Sequence, residues 1–326
     1  TDASPTLLEP LAFPLSDYGA RFVDLAFWRP YVELIARAHN LPAGEIAMGE
    51  PGTFPTFTLG RSHVVKLFGA PFDGSRCWAV ERDVARLIGD SDLAIPIPGV
   101  AAAGVLSREP GWRYLVTAFV PGEPFATAGP RLDPSTRNEV AGALGRMMRH
   151  VHDLPIPPGT ALGNGWSGWA AFLDGQREAT ERHGAWGTLP ERLLREIDGY
   201  VTDCPALGDS APSLVHADLH DHHLIGAATG DGWAIRGVID WGDARIGDRF
   251  YELPALHFGF CHGNRAMLRA FLAAYGWPDA GSAAFARRAM AMTLLHEFNV
   301  MEHVGSKVDL DAIASLDDLA TSLWRM

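Results

Sequence analysis

Between residues 214 and 253 the chain concentrates groups able to take a proton or hold a cation, set at the ends of short apolar runs. Residues 214–215 and 237–239 read as strands, and the polar stretches beside them carry His216, Asp218, His223 and Asp240. Turns at the ends of a rigid strand framework are where reactive side chains are commonly displayed. A carboxylate able to accept a hydroxyl proton, here Asp218, with a second carboxylate, Asp240, and a neutral donor, His223, for a divalent ion, makes a phosphoryl-transfer centre. The condition is that another part of the chain grips a nucleoside triphosphate.

Lysine usage points to that grip. Of 27 basic residues only two are lysine, Lys66 and Lys307. Lys66 lies in the strand-like run His63-Val-Val-Lys-Leu-Phe68. Arginine is a wide planar fork, whereas lysine is a compact charge that suits one phosphate oxygen at the end of a narrow approach. The plainer reading is a strand lysine whose stem covers apolar surface and whose tip is solvated. Glu81, on the helix expected next, is placed to orient the ammonium as an ion pair. The turn Gly49-Glu-Pro-Gly-Thr-Phe-Pro-Thr56 precedes the lysine strand. Such a turn can lay backbone N–H groups over phosphates, and equally serves as an ordinary hairpin.

The elements that must position these groups follow from apolar spacing. Residues 28–38 carry Tyr31, Leu34, Ile35 and Ala38 at helical intervals, closed by Leu41 and Pro42. Extended segments are expected at 46–48, 57–59 and 63–68, a helix over 75–88, and a strand over 114–120. Pro121–Gly122 then divides the chain into an N-terminal nucleotide-binding lobe, 1–120, and a helical C-terminal lobe with the acceptor site, 121–326. The second lobe opens on a helix capped by Asp133, with Pro134 in its first turn and Val140, Leu144, Met147, Met148 and Val151 as its apolar stripe. Helices are also expected around 169–181, 190–201 and beyond Glu252. Gly163-Asn-Gly165-Trp-Ser-Gly168 satisfies GxGxxG but follows a proline-rich loop, which argues against a dinucleotide fingerprint. His296–Glu297 begins like HExxH, but position 300 is Val.

Bulk properties narrow the class. At 326 residues and 47% hydrophobic, the chain is long enough for two lobes with a sizeable core. A net charge of −12 argues against nucleic acid or an anionic membrane as partner and allows a cationic substrate. Cys77, Cys204 and Cys261 are far apart and lack CxxC spacing, which suggests a reducing compartment. No apolar run reaches the roughly 18 residues of a membrane span, and no signal-like start is evident. The expectation is a cytoplasmic monomer or weak dimer.

The pattern resembles the aminoglycoside phosphotransferase family, whose fold is protein-kinase-like. That family shows His-Gly-Asp-Leu-His with Asn close behind, then Ile-Asp-Trp/Phe and Gly-Asp. Here the residues are His216-Ala-Asp218-Leu-His220-Asp-His-His223, Ile239-Asp240-Trp241 and Gly247-Asp248. Within the family the likeness is greatest to hygromycin B kinases of the 7″-O type, in VVKLFG at 64–69, FWRP at 27–30 and LLHEF at 294–298. The resemblance implies an α+β bilobal fold with a small antiparallel-sheet lobe and a larger, mainly helical one. It implies ATP, or GTP, as donor and magnesium, or manganese, as cofactor. Asp218 would be the catalytic base, and His223 and Asp240 the metal ligands. Lys66 with Glu81 would clamp the phosphates, Gly52, Thr53, Phe54 and Pro55 would form the loop over them, and Thr117 to Phe119 the hinge that meets the purine.

The sequence departs from that pattern twice: Ala217 stands where the family has Gly, and His223 where it has Asn. Imidazole nitrogen is a softer donor than an amide oxygen, which leaves an altered working ligand, a manganese preference, or a fold that has lost catalysis. For a cationic aminoglycoside, with hygromycin B as first acceptor, ammonium groups need carboxylates, and Asp221, Asp243, Glu252, Glu297 and Glu302 are the candidates. Asp243 leads because it sits three residues past Asp240. Other hydroxylated acceptors stay open, as do a nucleotide-binding module without catalysis and a metallohydrolase using His216, Asp218, His220 and His222 or His223.

Overall fold

The computed structural model describes residues 13–326 apart from 51, 92, 94, 108–110, 158–159, 163–165, 205–211 and 231. The Gly163–Gly165 part of the GxGxxG run therefore lies outside the described residues. The chain separates into two units: residues 1–123 with 225–227 and 236–243, and residues 124–224 with 228–235 and 244–326. Asp240 and Asp243 thus group with the N-terminal unit, although the sequence places them in the second half of the chain.

The first unit is built on five antiparallel strands. They are β1 (Ile46–Met48), β2 (Thr56–Leu59), β3 (His63–Phe68), β4 (Val100–Ser107) and β5 (Trp112–Ala118), in the order β1-β2-β3-β5-β4. Helix α1 (Leu25–Ala38) starts at Asp24, whose carboxylate accepts the Phe27 N–H at 3.0 Å. Trp28, Val32 and Ile35, one turn apart, lie fully buried against Phe57, Val65, Leu67, Tyr114 and Val116. Helix α2 (Gly74–Gly89) packs against β3 and β5. It can start where it does because residue 74 has no side chain: a Cβ there would stand 2.0 Å from the Gly69 carbonyl oxygen.

Strand β4 was not expected from the sequence. Its Val-Ala-Ala-Ala-Gly-Val-Leu-Ser run is dominated by residues with little preference for strands, and pairing with β5 supplies what propensity does not.

The second unit is mainly helical. Helix α3 (Pro134–His152) begins at Asp133, which accepts from the N–H groups of Ser135 and Thr136 at 2.9 and 3.0 Å. It packs along α5 (Arg265–Tyr275), and α4 (Trp166–Glu178), α6 (Ala283–Leu294) and α7 (Leu316–Trp324) complete the larger helices. Within it β6 (Ser213–Val215) pairs antiparallel with β9 (Arg245–Gly247), matching Val215 to Arg245 and Ser213 to Gly247. Strands β7 (Leu224–Thr229) and β8 (Gly232–Val238) lie between these in sequence and contribute residues to both units. No described helix is long and apolar enough to cross a membrane.

Candidate active site

In the first unit, strand alternation decides where Lys66 points. Val65 and Leu67 face the α1 core, so Lys66 and Phe68 face the opposite side of β3, where Phe54, Phe68, Cys77 and Leu115 form a second apolar cluster. On α2, Cys77 and Glu81 are four residues apart and share the face turned to this cluster. Lys66 Nζ donates to Glu81 Oε2 at 2.9 Å and to Asp240 Oδ1 at 2.5 Å. The side chains are 11%, 13% and 28% exposed, so this is an ion triad largely removed from water. The rings of Phe68 and Phe54 lie 5.2 and 5.8 Å from the ammonium.

Burial by itself would lower the Lys66 pKa. The adjacent Asp240 and Glu81 carboxylates reverse that and hold the ammonium above its ordinary range, so the lysine stays charged. Burial pushes the Glu81 carboxyl up, and Lys66 pulls it back.

Asp240 follows β8 in a left-handed conformation, φ 62°, which ends the strand sharply. Residues with a Cβ are uncommon in that region, and Asp and Asn are enriched among those that adopt it. Gly52 begins the loop that approaches this carboxylate: a Cβ on it would lie 3.7 Å from Asp240 Oδ2. The loop is anchored from outside. Tyr18 donates its hydroxyl proton to the Thr53 carbonyl at 2.8 Å, and Phe54 and Pro55 are buried. Sequence reading missed Tyr18, because nothing local links residues 35 positions apart.

The Thr117–Phe119 segment ends β5. Its Ala118 and Phe119 N–H groups are already given to Gly99 and Ser62 carbonyls, both at 2.9 Å. Main-chain recognition of a purine there would fall to carbonyls or to residues after Phe119.

In the second unit, β6 delivers the His216–His223 loop. The N–H of His216 donates to Glu252 Oε2 at 2.8 Å, and His152 lies 3.4 Å from the same oxygen. Ala217 turns the chain with φ 69°, and His296 Nε2 donates to its carbonyl at 3.1 Å. A left-handed alanine costs about 1–2 kcal/mol. Its fully buried methyl and the stiffer unfolded chain offset part of that, so alanine is tolerated where glycine is freer.

Asp218 and its neighbours then form a cluster. His223 Nδ1 donates to the Asp218 carbonyl at 2.7 Å, and His220 Nε2 lies 3.7 Å from Asp218 Oδ2. The rings of His220 and His223 are 3.7 Å apart, and Asp218, His220 and His223 each offer one ligand atom within 4.8 Å of the others. The donor chemistry of the expected magnesium pair is uneven: Asp240 supplies the hard carboxylate oxygens that magnesium takes, and His223 supplies a softer nitrogen that does not fit it well.

A cavity of about 480 Å³ opens beside Asp218. Asp218, His220, Asp221, Phe258, Phe298 and Glu302 line it, with Asn299 and Lys307. The buried Oδ1 of Asn299 accepts no hydrogen bond from the described residues. His262 donates to Asp221 Oδ2 at 2.8 Å. Burial alone would raise the Asp221 carboxyl, and the neighbouring His220 and His262 overcome it, leaving the group below the usual carboxylate range.

Of the five carboxylates expected to meet an acceptor, two, Asp221 and Glu302, line this cavity. The other three are not among its lining residues. Glu252 is fully buried and anchors the His216 N–H, which closes it to a ligand. Glu297 is ion-paired with Arg245, whose guanidinium stacks 3.9 Å from the Phe172 ring, and its N–H donates to the Tyr251 hydroxyl. Asp243 belongs to the first unit, where its charge acts on Cys77 and Glu81.

The phosphotransferase enzyme family model matches residues 78–291. The chain belongs to this family. Among characterised relatives, viomycin phosphotransferase of Streptomyces vinaceus is 26% identical over 259 residues, covering 74% of this chain and 81% of that one. Lysine-specific demethylase JMJ21 of Arabidopsis thaliana is 24% identical over 271 residues, but the match spans only 29% of that protein and 66% of this one. Among solved structures, the GDP complex of aminoglycoside 2'-phosphotransferase-IIIa superposes with a TM-score of 0.65 at 16% identity, over 92% of this chain and 97% of that chain. Aminoglycoside-3'-phosphotransferase of type VIII gives 0.55 at 22% identity, over 82% and 97%. At these identities the structures establish the kinase-like fold shared by the family.

Proposed function

We propose that the chain transfers the γ-phosphoryl group of ATP, or GTP, to a hydroxyl of an aminoglycoside-type antibiotic, with hygromycin B the first acceptor to test. The observation that carries this reading is the Lys66–Glu81–Asp240 triad: a buried ammonium kept charged and oriented by two carboxylates, beside a glycine loop. Its partners hold the side chain still, so little ordering remains to be done when a phosphate arrives. Support also comes from the relatives: one of the solved neighbours is a streptomycin–ATP ternary complex, and others hold GDP or ADP.

In this reading Lys66 takes a phosphate oxygen of the donor and Glu81 keeps its charge aimed. Gly52 and Thr53 lie over the phosphates, tied down through Tyr18. Asp218 accepts the proton that the acceptor hydroxyl loses as it attacks phosphorus. Asp240 presents a carboxylate to a hard cation, magnesium or manganese, while His223 is an imperfect ligand for the former. Asp221 and Glu302 would receive acceptor ammonium groups, Phe258 and Phe298 its apolar faces, and the unpaired Asn299 Oδ1 an N–H or O–H donor.

A coupled assay of nucleoside diphosphate release tests the proposal, run with ATP and GTP, with magnesium and manganese, and with a panel of aminoglycosides and small alcohols. Release that appears only when an acceptor hydroxyl is present supports it. Nucleotide binding without acceptor-dependent release would favour a non-catalytic nucleotide-binding module.

A further inference from the structure

We propose that Asp218, His220 and His223 form a site for a borderline divalent cation of the Zn²⁺ class, and that filling it silences Asp218. The binding half of this stands on geometry alone, while the silencing half rests on the role proposed above for Asp218.

The donor atoms are already gathered. Asp218 Oδ2 lies 3.7 Å from His220 Nε2, and all three residues place a ligand atom within 4.8 Å of one another. A tetrahedral zinc site with bonds of about 2.0–2.1 Å has its ligand atoms roughly 3.3 Å apart. Side-chain rotation alone therefore closes the set around an ion. Two imidazoles and one carboxylate match the donor preference of zinc and its neighbours far better than that of magnesium, and leave a fourth position for water. Asp218 and His220 are 27% and 28% exposed and line the cavity beside them, which gives an ion its way in.

The surroundings are suited to the bound form as well. His223 Nδ1 donates to the Asp218 carbonyl at 2.7 Å, which makes Nε2 the basic nitrogen of that ring. His220 stands in the other tautomer, its Nδ1 accepting the His222 N–H at 3.2 Å. Coordination through His220 Nε2 moves that ring's proton to Nδ1, which gives up the His222 N–H it now accepts and lies 3.8 Å from Asp221 Oδ1. The result is a carboxylate–histidine–metal relay, the arrangement that orients most metal-bound imidazoles. The proton stays on the ring, so His220 gives up none on binding. Asp218, once it shares electron density with the ion, is a much weaker base for a hydroxyl proton.

Titration calorimetry of the metal-free full chain with ZnCl₂ tests the binding, with cobalt(II) as a visible probe of tetrahedral coordination. One ion per chain is expected, and a cobalt spectrum of tetrahedral type. His220→Gln and His223→Asn should weaken binding by more than the ~10–100-fold expected of Asp221→Asn, the supporting carboxylate. His222→Gln, which removes a neighbouring exposed histidine, should leave it unchanged. Melting curves without metal establish that each variant is folded, and Asp221→Asn carries the test if His220→Gln is not. Absence of binding, or binding that His220→Gln, His223→Asn and Asp221→Asn leave intact, overturns the site. Zinc should also inhibit acceptor-dependent transfer by the wild-type chain. Stoichiometric binding in a chain without transfer activity would leave the site standing and refute the phosphotransferase reading alone.

Discussion

Lys66 Nζ lies 2.5 Å from Asp240 Oδ1, a contact between residues 174 positions apart, and Glu81 holds the same nitrogen from the other side at 2.9 Å. Removing the ammonium leaves two carboxylates facing each other out of water. Lys66→Ala should therefore lose about 3–5 kcal/mol of stability and ~10²–10³-fold in turnover, the usual cost of one preorganised charge at a reacting group. Lys66→Met combined with Glu81→Gln should recover much of the melting temperature and none of the activity. Thermal unfolding and steady-state rates of the three proteins separate the two effects.

His223 offers nitrogen where the family resemblance expects an amide oxygen. His223→Asn should keep or raise activity with magnesium and lower the manganese-to-magnesium rate ratio. Initial rates across both metals check this, and a collapse with magnesium would show the imidazole to be essential.

The cavity beside Asp218 separates two kinds of acid. Glu302→Gln and Asp221→Asn should raise the KM for a cationic acceptor, with KM for the nucleotide nearly constant. Glu252→Ala should act on folding instead. It strands the buried His216 N–H and should cost about 1–3 kcal/mol, readable as a fall in Tm with little change in acceptor KM for the folded fraction.

Two buried histidines set an acid limit on stability. Burial pushes the His257 pKa down to about 4, and burial with Arg245 nearby pushes His296 down to about 3. Both are neutral in the folded chain and protonate near 6.5 when unfolded. Their contribution is complete above about pH 6.5 and is lost as pH falls toward 4, at about 1.4 kcal/mol per pH unit for each site. Denaturant unfolding between pH 7.5 and 5 should show stability falling as pH falls, less steeply in His296→Gln than in wild type.

The contact between Lys66 and Glu81 could be read from the chain because both signals are local: a rare lysine in an alternating strand and an acid at the right turn of the next helix. The Asp133 cap and the α3 stripe were equally plain. Tyr18 could not be found, since its bond to the Thr53 carbonyl depends on how the N-terminal segment packs on the sheet. Strand β4 hid behind alanine and glycine. Glu252 and Glu297 read as acids for an acceptor's ammonium groups because charge alone does not reveal that a buried N–H or an arginine awaits them. His220 attracted notice only as one histidine among several, and its closeness to His223 came from a turn that spacing does not describe.

The most direct test of the account is acceptor-dependent nucleoside diphosphate release by wild type and Asp218→Asn at saturating nucleotide. Release should require an acceptor hydroxyl and fall by at least ~10²-fold in the variant, in line with loss of a positioned base, while nucleotide still binds. Release that ignores the acceptor, or that Asp218→Asn leaves intact, would contradict it.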